Sequence, residues 1–369
     1  MRPVQRANAI LPLSDPLGDK PHFEVLDGLR GIAAYCVILF HSFSAVYVGN
    51  GFLDVDLFFM LSGFVIAYAY RKRLVAGMSV RAFFLRRFVR LYPMIVVGVL
   101  LGVAVAVLHD RENVLERYPD RDVIRATVLA LLLIPNFASG HLGHFIFPLN
   151  RVMWSLFFEF VANLVYATFA RHMSKGVLAA AALVGLAGTV AIGPLGGPVT
   201  GDFLTGFPRI LFGFCAGALI YELWSDNRLP KVSLGILPLA VVILAIANYP
   251  IEVRGLAFIP VAFLFSIVLI LGANASPGPG ERRLCSFLGR ISYPIYLIHV
   301  PILYIAAGAA KDVLRSTPKG FAYVLVVAAV LVICTLTAYL LEILYETPVR
   351  QWLGPVLLKP RVAIRAATS

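Results

Sequence analysis

Charge is what this sequence has little of. Only 14% of its 369 residues are Asp, Glu, Lys or Arg, against 60% hydrophobic, and the mean hydropathy is +0.85. A soluble domain carries about 25% charged residues, so a soluble globular protein is excluded. Acidic residues are scarcer still, 20 against 32 basic. The basic excess does not point to nucleic acid, because the Lys and Arg fall in short segments between apolar runs, where they set membrane orientation. Cysteine is rare too: Cys36, Cys215 and Cys334 lie in separate apolar stretches and Cys285 in a basic loop, with no CxxC. That excludes a disulfide framework and leaves them as core filler. The N-terminus lacks the pattern of a signal peptide, so the first apolar run is expected to stay as the first span. No repeat is evident, and no soluble domain is expected before or after the membrane region.

What is present is a series of apolar runs, at 29–48, 54–70, 91–109, 122–137, 152–170, 177–193, 203–223, 232–249, 256–272, 291–308 and 322–345. The run at 122–137 contains Arg125 and ends in Pro135-Asn136; it is too short for a span and reads as a re-entrant or interfacial piece. Counting the others as ten spans with the N-terminus inside puts 22 Lys and Arg in the cytoplasm and 9 outside, whereas eleven spans split them 16 to 15. The positive-inside rule therefore predicts an all-α integral membrane protein. It has about ten transmembrane helices, both termini cytoplasmic, and one short helix in the outer loop 110–150.

An ionisable side chain inside an apolar span is costly unless it is used or paired. His41 is such a residue, and Arg30 shares its helix face three turns earlier, about 16 Å away. Asp56 enters the second span at a similar depth and is a natural partner: a carboxylate raises an imidazole's basicity and fixes its tautomer, as a general base requires. Arg86-Arg87-Phe88-Val89-Arg90 opens the third span. It reads either as a topology signal or as an anion clamp, with guanidinium groups at i and i+3 binding phosphates.

Further along, Arg151, Glu159 and Asn163 form a polar stripe that either positions substrate or stabilises packing. Ser292, Tyr296 and His299 share one face of a Pro-containing span, and Glu342 and Glu346 are expected to pair with nearby arginines. His141 and His144 sit three apart in the outer loop. No neighbouring Cys or carboxylate completes a zinc site, and no metal is expected.

Taken in order, these motifs resemble the acyltransferase-3 family of integral membrane O-acyltransferases, which act on O-antigen, exopolysaccharide, macrolide and related acceptors. Leu26-Asp27-Gly28-Leu29-Arg30 followed by His41 is similar to the family's opening signature, and Val55-Asp56-Leu57-Phe58-Phe59 to its second-span motif. Arg87-Phe88-Val89-Arg90 with Pro93 resembles its RxxR element, and Trp154-Ser155-Leu156 with Glu159 a WSL-x-x-E pattern. Ser292-Tyr293, His299-Val300-Pro301 and Glu346-Thr347-Pro348 resemble its late motifs. Two departures stand out. Phe160 occupies the place of a second acid, and the hydrolase-like domain appended in some members is absent from this sequence.

The resemblance implies transfer of an acyl group, most often acetyl, from cytoplasmic acyl-CoA to a hydroxyl of a glycan, glycoside or lipid-linked sugar. It makes His41, steered by Asp56, the catalytic candidate as general base or acyl carrier. Arg30, Arg87 and Arg90 would hold the donor, and Arg151, Trp154, Glu159, Tyr296 and His299 would form an acceptor or structural site. The expected organisation is a cytoplasmic tail (1–25), a membrane acyltransferase domain (26–349) and a basic cytoplasmic tail (350–369) in the cell (inner) membrane. A polysaccharide-assembly partner or a homodimer is compatible with it. The rival reading is a transporter or flippase whose polar path uses His41, Asp56, Glu159 and His299.

Overall fold

The computed structural model describes residues 23–43, 49–112, 118–138, 142–194, 196–230, 234–249, 253–314 and 320–358. With no water in a bilayer core to bond peptide groups, so apolar a chain must satisfy its backbone internally. It does so as helices: α1 (Glu24–Phe43), α2 (Asp54–Val75), α3 (Val80–Glu112), α4 (Asp120–Leu131), α5 (Met153–Phe169) and α6 (Lys175–Ile192). These are followed by α7 (Gly206–Ser225), α8 (Ile236–Ala247), α9 (Phe258–Ala273), α10 (Pro279–Leu314), α11 (Gly320–Leu341) and α12 (Thr347–Leu358). Among the described residues nine helical stretches are long and apolar enough to cross a membrane, so this is a multi-pass membrane protein.

The predicted span 232–249 departs from that length. Its helix, α8, has 12 residues, roughly 18 Å at 1.5 Å each. Its ends nevertheless reach the levels that bound α1. Ile236 lies against Gly28 in the second turn of α1, and the Ala247 carbonyl accepts from the Asn50 N–H, just past α1, at 2.8 Å. The short helix expected within 110–150 is α4. It buries Ala126 and Ala130 and exposes Ile124 and Val128, the one-sided pattern of a helix lying at a membrane interface. Cys285, expected in a loop, is buried within α10, because that helix begins at Pro279, well before the apolar run.

Lipid tails are as apolar as leucine, so membrane helices hold together by close packing of small residues and by buried polar pairs. The α2–α7 contact has both. A Cβ on Gly63 would lie 2.0 Å from the Phe214 carbonyl oxygen, and one on Gly217 1.9 Å from that of Met60. Arg209 of α7 pairs with Asp56 of α2 at 2.7 Å, each side chain 1% exposed. α1 meets α10 in the same way, through Gly31 against the Leu288 backbone. Past α11 the chain makes a π-helical turn, Glu342–Glu346, before α12. Such turns widen a helix and recur at functional sites.

Candidate active site

Residues of α1, α2, α3, α5, α10, the π turn and α12 enclose a cavity of about 440 Å³. Its wall carries Arg30, Arg87, Arg90, Arg290 and Arg350 together with Asp27, Glu159, Glu342 and Glu346. Most of these charges are paired. Arg30 bridges Asp27 at 2.8 Å and donates from Nε to Ser292 at 2.9 Å. Arg87 is buried and bridges Glu159 at 2.8 Å, and Glu159 also accepts from Ser62. Arg290 meets Glu342 at 2.6 Å and Arg350 meets Glu346 at 3.2 Å. Among the described residues Arg90 alone of the five makes no ion pair, and it is exposed. An anion entering the cavity meets an uncompensated guanidinium there.

The cavity has a floor. The start of α1 touches the second half of α2, where Phe23 stacks edge-on with Phe64 and Tyr68, so the two helices run in opposite directions. The lining residues farthest from the arginine end are therefore Phe58 on α2, Ser155 on α5 and Tyr296 on α10. The Ser155 and Tyr296 hydroxyls are 2.6 Å apart, and Phe58 stands edge-on to the tyrosine ring at 5.5 Å.

One turn beyond Tyr296 is His299, whose ring centroid is 5.9 Å from the tyrosine's. Nε2 of His299 lies 3.0 Å from Nδ1 of His41. Nδ1 of His299 faces the Ile295 carbonyl at 3.2 Å. A carbonyl only accepts, so this nitrogen carries the proton, and in a neutral imidazole Nε2 is then the acceptor. His41 must therefore donate from Nδ1, which places its lone pair on Nε2, the arrangement of a general base.

This corrects the expected partner of His41. Asp56 gives both carboxylate oxygens to Arg209, at 3.1 and 2.7 Å, and Arg209 also donates to the Gly196 and Phe52 carbonyls. The side chain that orients His41 is an imidazole fixed by a main-chain carbonyl, and the Val37 backbone one turn earlier on α1 also bonds His41. Arg209 was absent from the sequence expectations, although it is a lone cation in the apolar run 203–223. The rule that such a charge needs a partner was the signal that could have found it.

Arg151, Trp154 and Glu159, expected in one acceptor or structural site, are divided among three environments. Glu159 faces the cavity. Trp154 covers the Arg209 guanidinium at 5.2 Å and packs on Phe59. Arg151 lies on the far side of the floor, its guanidinium over the rings of Phe145 and Tyr304 at 5.7 and 5.6 Å. Phe160 packs on Phe84 of α3 at 5.1 Å. Of the two outer-loop histidines, His141 lies outside the described residues, and the His144 carbonyl accepts from Thr200.

Fold and site together define a multi-pass membrane protein that brings an arginine-lined cavity up to a histidine pair, His299 buried and His41 half-buried. The sequence matches the acyltransferase domain over residues 23–342, and the chain belongs to this acyltransferase-3 family. It is similar to Peptidoglycan O-acetyltransferase OatA of Listeria monocytogenes, 27% identical over 365 residues that cover 88% of this chain and 55% of that protein. It is also similar to Protein 2 in picA locus of Rhizobium radiobacter, 39% identical over 155 residues, 39% of this chain and 81% of that one. The chain thus spans little more than half the length of the Listeria protein. No solved structure matches.

Proposed function

We propose that this protein is a membrane O-acyltransferase that moves an acyl group, in the simplest case acetyl, from cytoplasmic acyl-CoA to a hydroxyl of a glycan or glycoside. One observation carries this reading: Arg30, Arg87 and Arg90, from two helices, line one cavity whose floor borders the His41–His299 pair. Guanidinium groups bind phosphates through paired hydrogen bonds, and Arg90 has no internal carboxylate to displace. The excess of Lys and Arg at this end of the molecule supports a cytoplasmic mouth, the side from which acyl-CoA arrives.

In this reading the donor's phosphates rest at the mouth and its acyl arm points at the floor. The acceptor hydroxyl comes to His41 from the side of Arg151. Nε2 of His41 takes the hydroxyl proton as the oxygen attacks the thioester carbonyl carbon. The C–S bond then breaks, the proton passes from His41 to the departing sulfur, and an ester and free CoA result. The same lone pair would attack if His41 carried the acyl group itself. Label trapped on the protein without acceptor would distinguish that route.

The similarity to a peptidoglycan O-acetyltransferase supports a glycan acceptor. The test is to offer labelled acetyl-CoA and glycan to the protein in lipid. Ester-bound label on the glycan supports the enzyme. Movement of glycan across the membrane without label would mean a transporter instead.

A further inference from the structure

We propose that Phe58, Ser155 and Tyr296 form a filter that restricts the donor to the shortest acyl groups, a reading that rests on the acyl-CoA function above. The three side chains come from three helices and make one layer across the bottom of the cavity. The layer is tied together. The two hydroxyls are 2.6 Å apart, and both lie 3.2 Å from the Val152 carbonyl, so one hydroxyl donates to the other and the second donates to that carbonyl. Phe58 closes the remaining side with its ring edge-on to Tyr296 at 5.5 Å, and it is only half-buried because one face looks into the cavity.

Among the described residues, apolar side chains pack directly behind the layer. Val37, Val152 and Val300 cluster directly around Tyr296, each 2% exposed, and His299 and His41 follow. An acyl end that is to meet His41 has to pass between Phe58 and the Ser155–Tyr296 pair. Close packing makes such a passage sensitive to a single methylene, because the surrounding side chains give way only in part. One methylene too many in an apolar site is discriminated by about 10- to 200-fold. A wider cavity above the floor does not change this, since it receives the pantetheine arm whatever acyl group it bears.

The experiment compares acetyl-, propionyl- and butyryl-CoA as donors to one acceptor, for the full-length protein in lipid and for its Phe58→Ala and Tyr296→Phe variants. CoA binding is measured on the same preparations. Rates are read as ratios within each preparation, so the fraction of folded protein cancels. The unaltered protein is expected to lose about tenfold or more from acetyl to propionyl. Phe58→Ala should raise the butyryl-to-acetyl ratio by about tenfold, and Tyr296→Phe, which unties the layer but keeps the ring, should raise it less. CoA affinity should be the same in all three. Equal use of the three donors by the unaltered protein, or an unchanged ratio in both variants while CoA still binds, overturns the filter alone. Absence of CoA binding in the unaltered protein overturns the filter together with the donor reading beneath it.

Discussion

Nδ1 of His41 lies 3.0 Å from Nε2 of His299, and the Ile295 carbonyl fixes which of the two nitrogens holds the proton. A neutral imidazole thus holds the His41 tautomer as a carboxylate would, without placing a second charge in an apolar layer. His299→Phe keeps a ring but removes the acceptor. It should lower kcat by about 10- to 100-fold, the cost of losing an orienting partner of a functional histidine, and leave the KM for the donor unchanged. Steady-state kinetics on the purified variant check this.

Asp56 and Arg209 are a structural pair. Removing one partner of a buried ion pair costs about 3–5 kcal/mol, because it strands the other charge. Asp56→Asn should therefore lower the melting temperature and the yield, while activity per folded molecule stays near that of the unaltered protein. The double variant Asp56→Leu, Arg209→Met should be more stable than either single change predicts. A double-mutant cycle of thermal melts measures the difference.

Arg87 and Arg90 should behave differently despite their shared motif. Arg90 has no ion pair among the described residues, so Arg90→Gln should leave stability intact. It should weaken CoA binding by about 1.5–3 kcal/mol, the worth of a charged hydrogen bond. Arg87→Gln strands Glu159, which bonds Arg87 and Ser62, and should lower the melting temperature as well. Isothermal titration with CoA, alongside melts of both variants, separates the two effects.

Arg151 lies on the opposite side of the floor from the arginine-lined cavity, with two aromatic rings against its guanidinium. Arg151→Gln should raise the KM for the acceptor and leave CoA affinity unchanged. Varying each substrate in turn tests this. A rise in the KM for the donor would contradict the placement of the two sites.

The helices and the arginine end were legible because both depend on local pattern. Run length sets a span, and Arg87 and Arg90 at i and i+3 fall on one face whatever surrounds them. The short outer-loop helix was legible for the same reason. Long-range pairing was not. Asp56 and His41 are close in sequence and similar in depth, which made them natural partners, but Arg209 lies 153 residues from Asp56 and His299 lies 258 from His41. Depth alone admitted several pairings, and helix packing chose among them through glycines such as Gly63 and Gly217. The π turn at Glu342–Glu346 was illegible because its residues continue the apolar run of α11.

A catalytic role for His41 is tested by comparing His41→Ala with the unaltered protein in lipid, with labelled acetyl-CoA, acceptor and a parallel measurement of CoA affinity. The predicted result is unchanged CoA affinity with acyl transfer reduced by at least about 10²- to 10⁴-fold, the usual contribution of a general base. Transfer at the unaltered rate by a variant that still binds CoA would show that His41 is not the base.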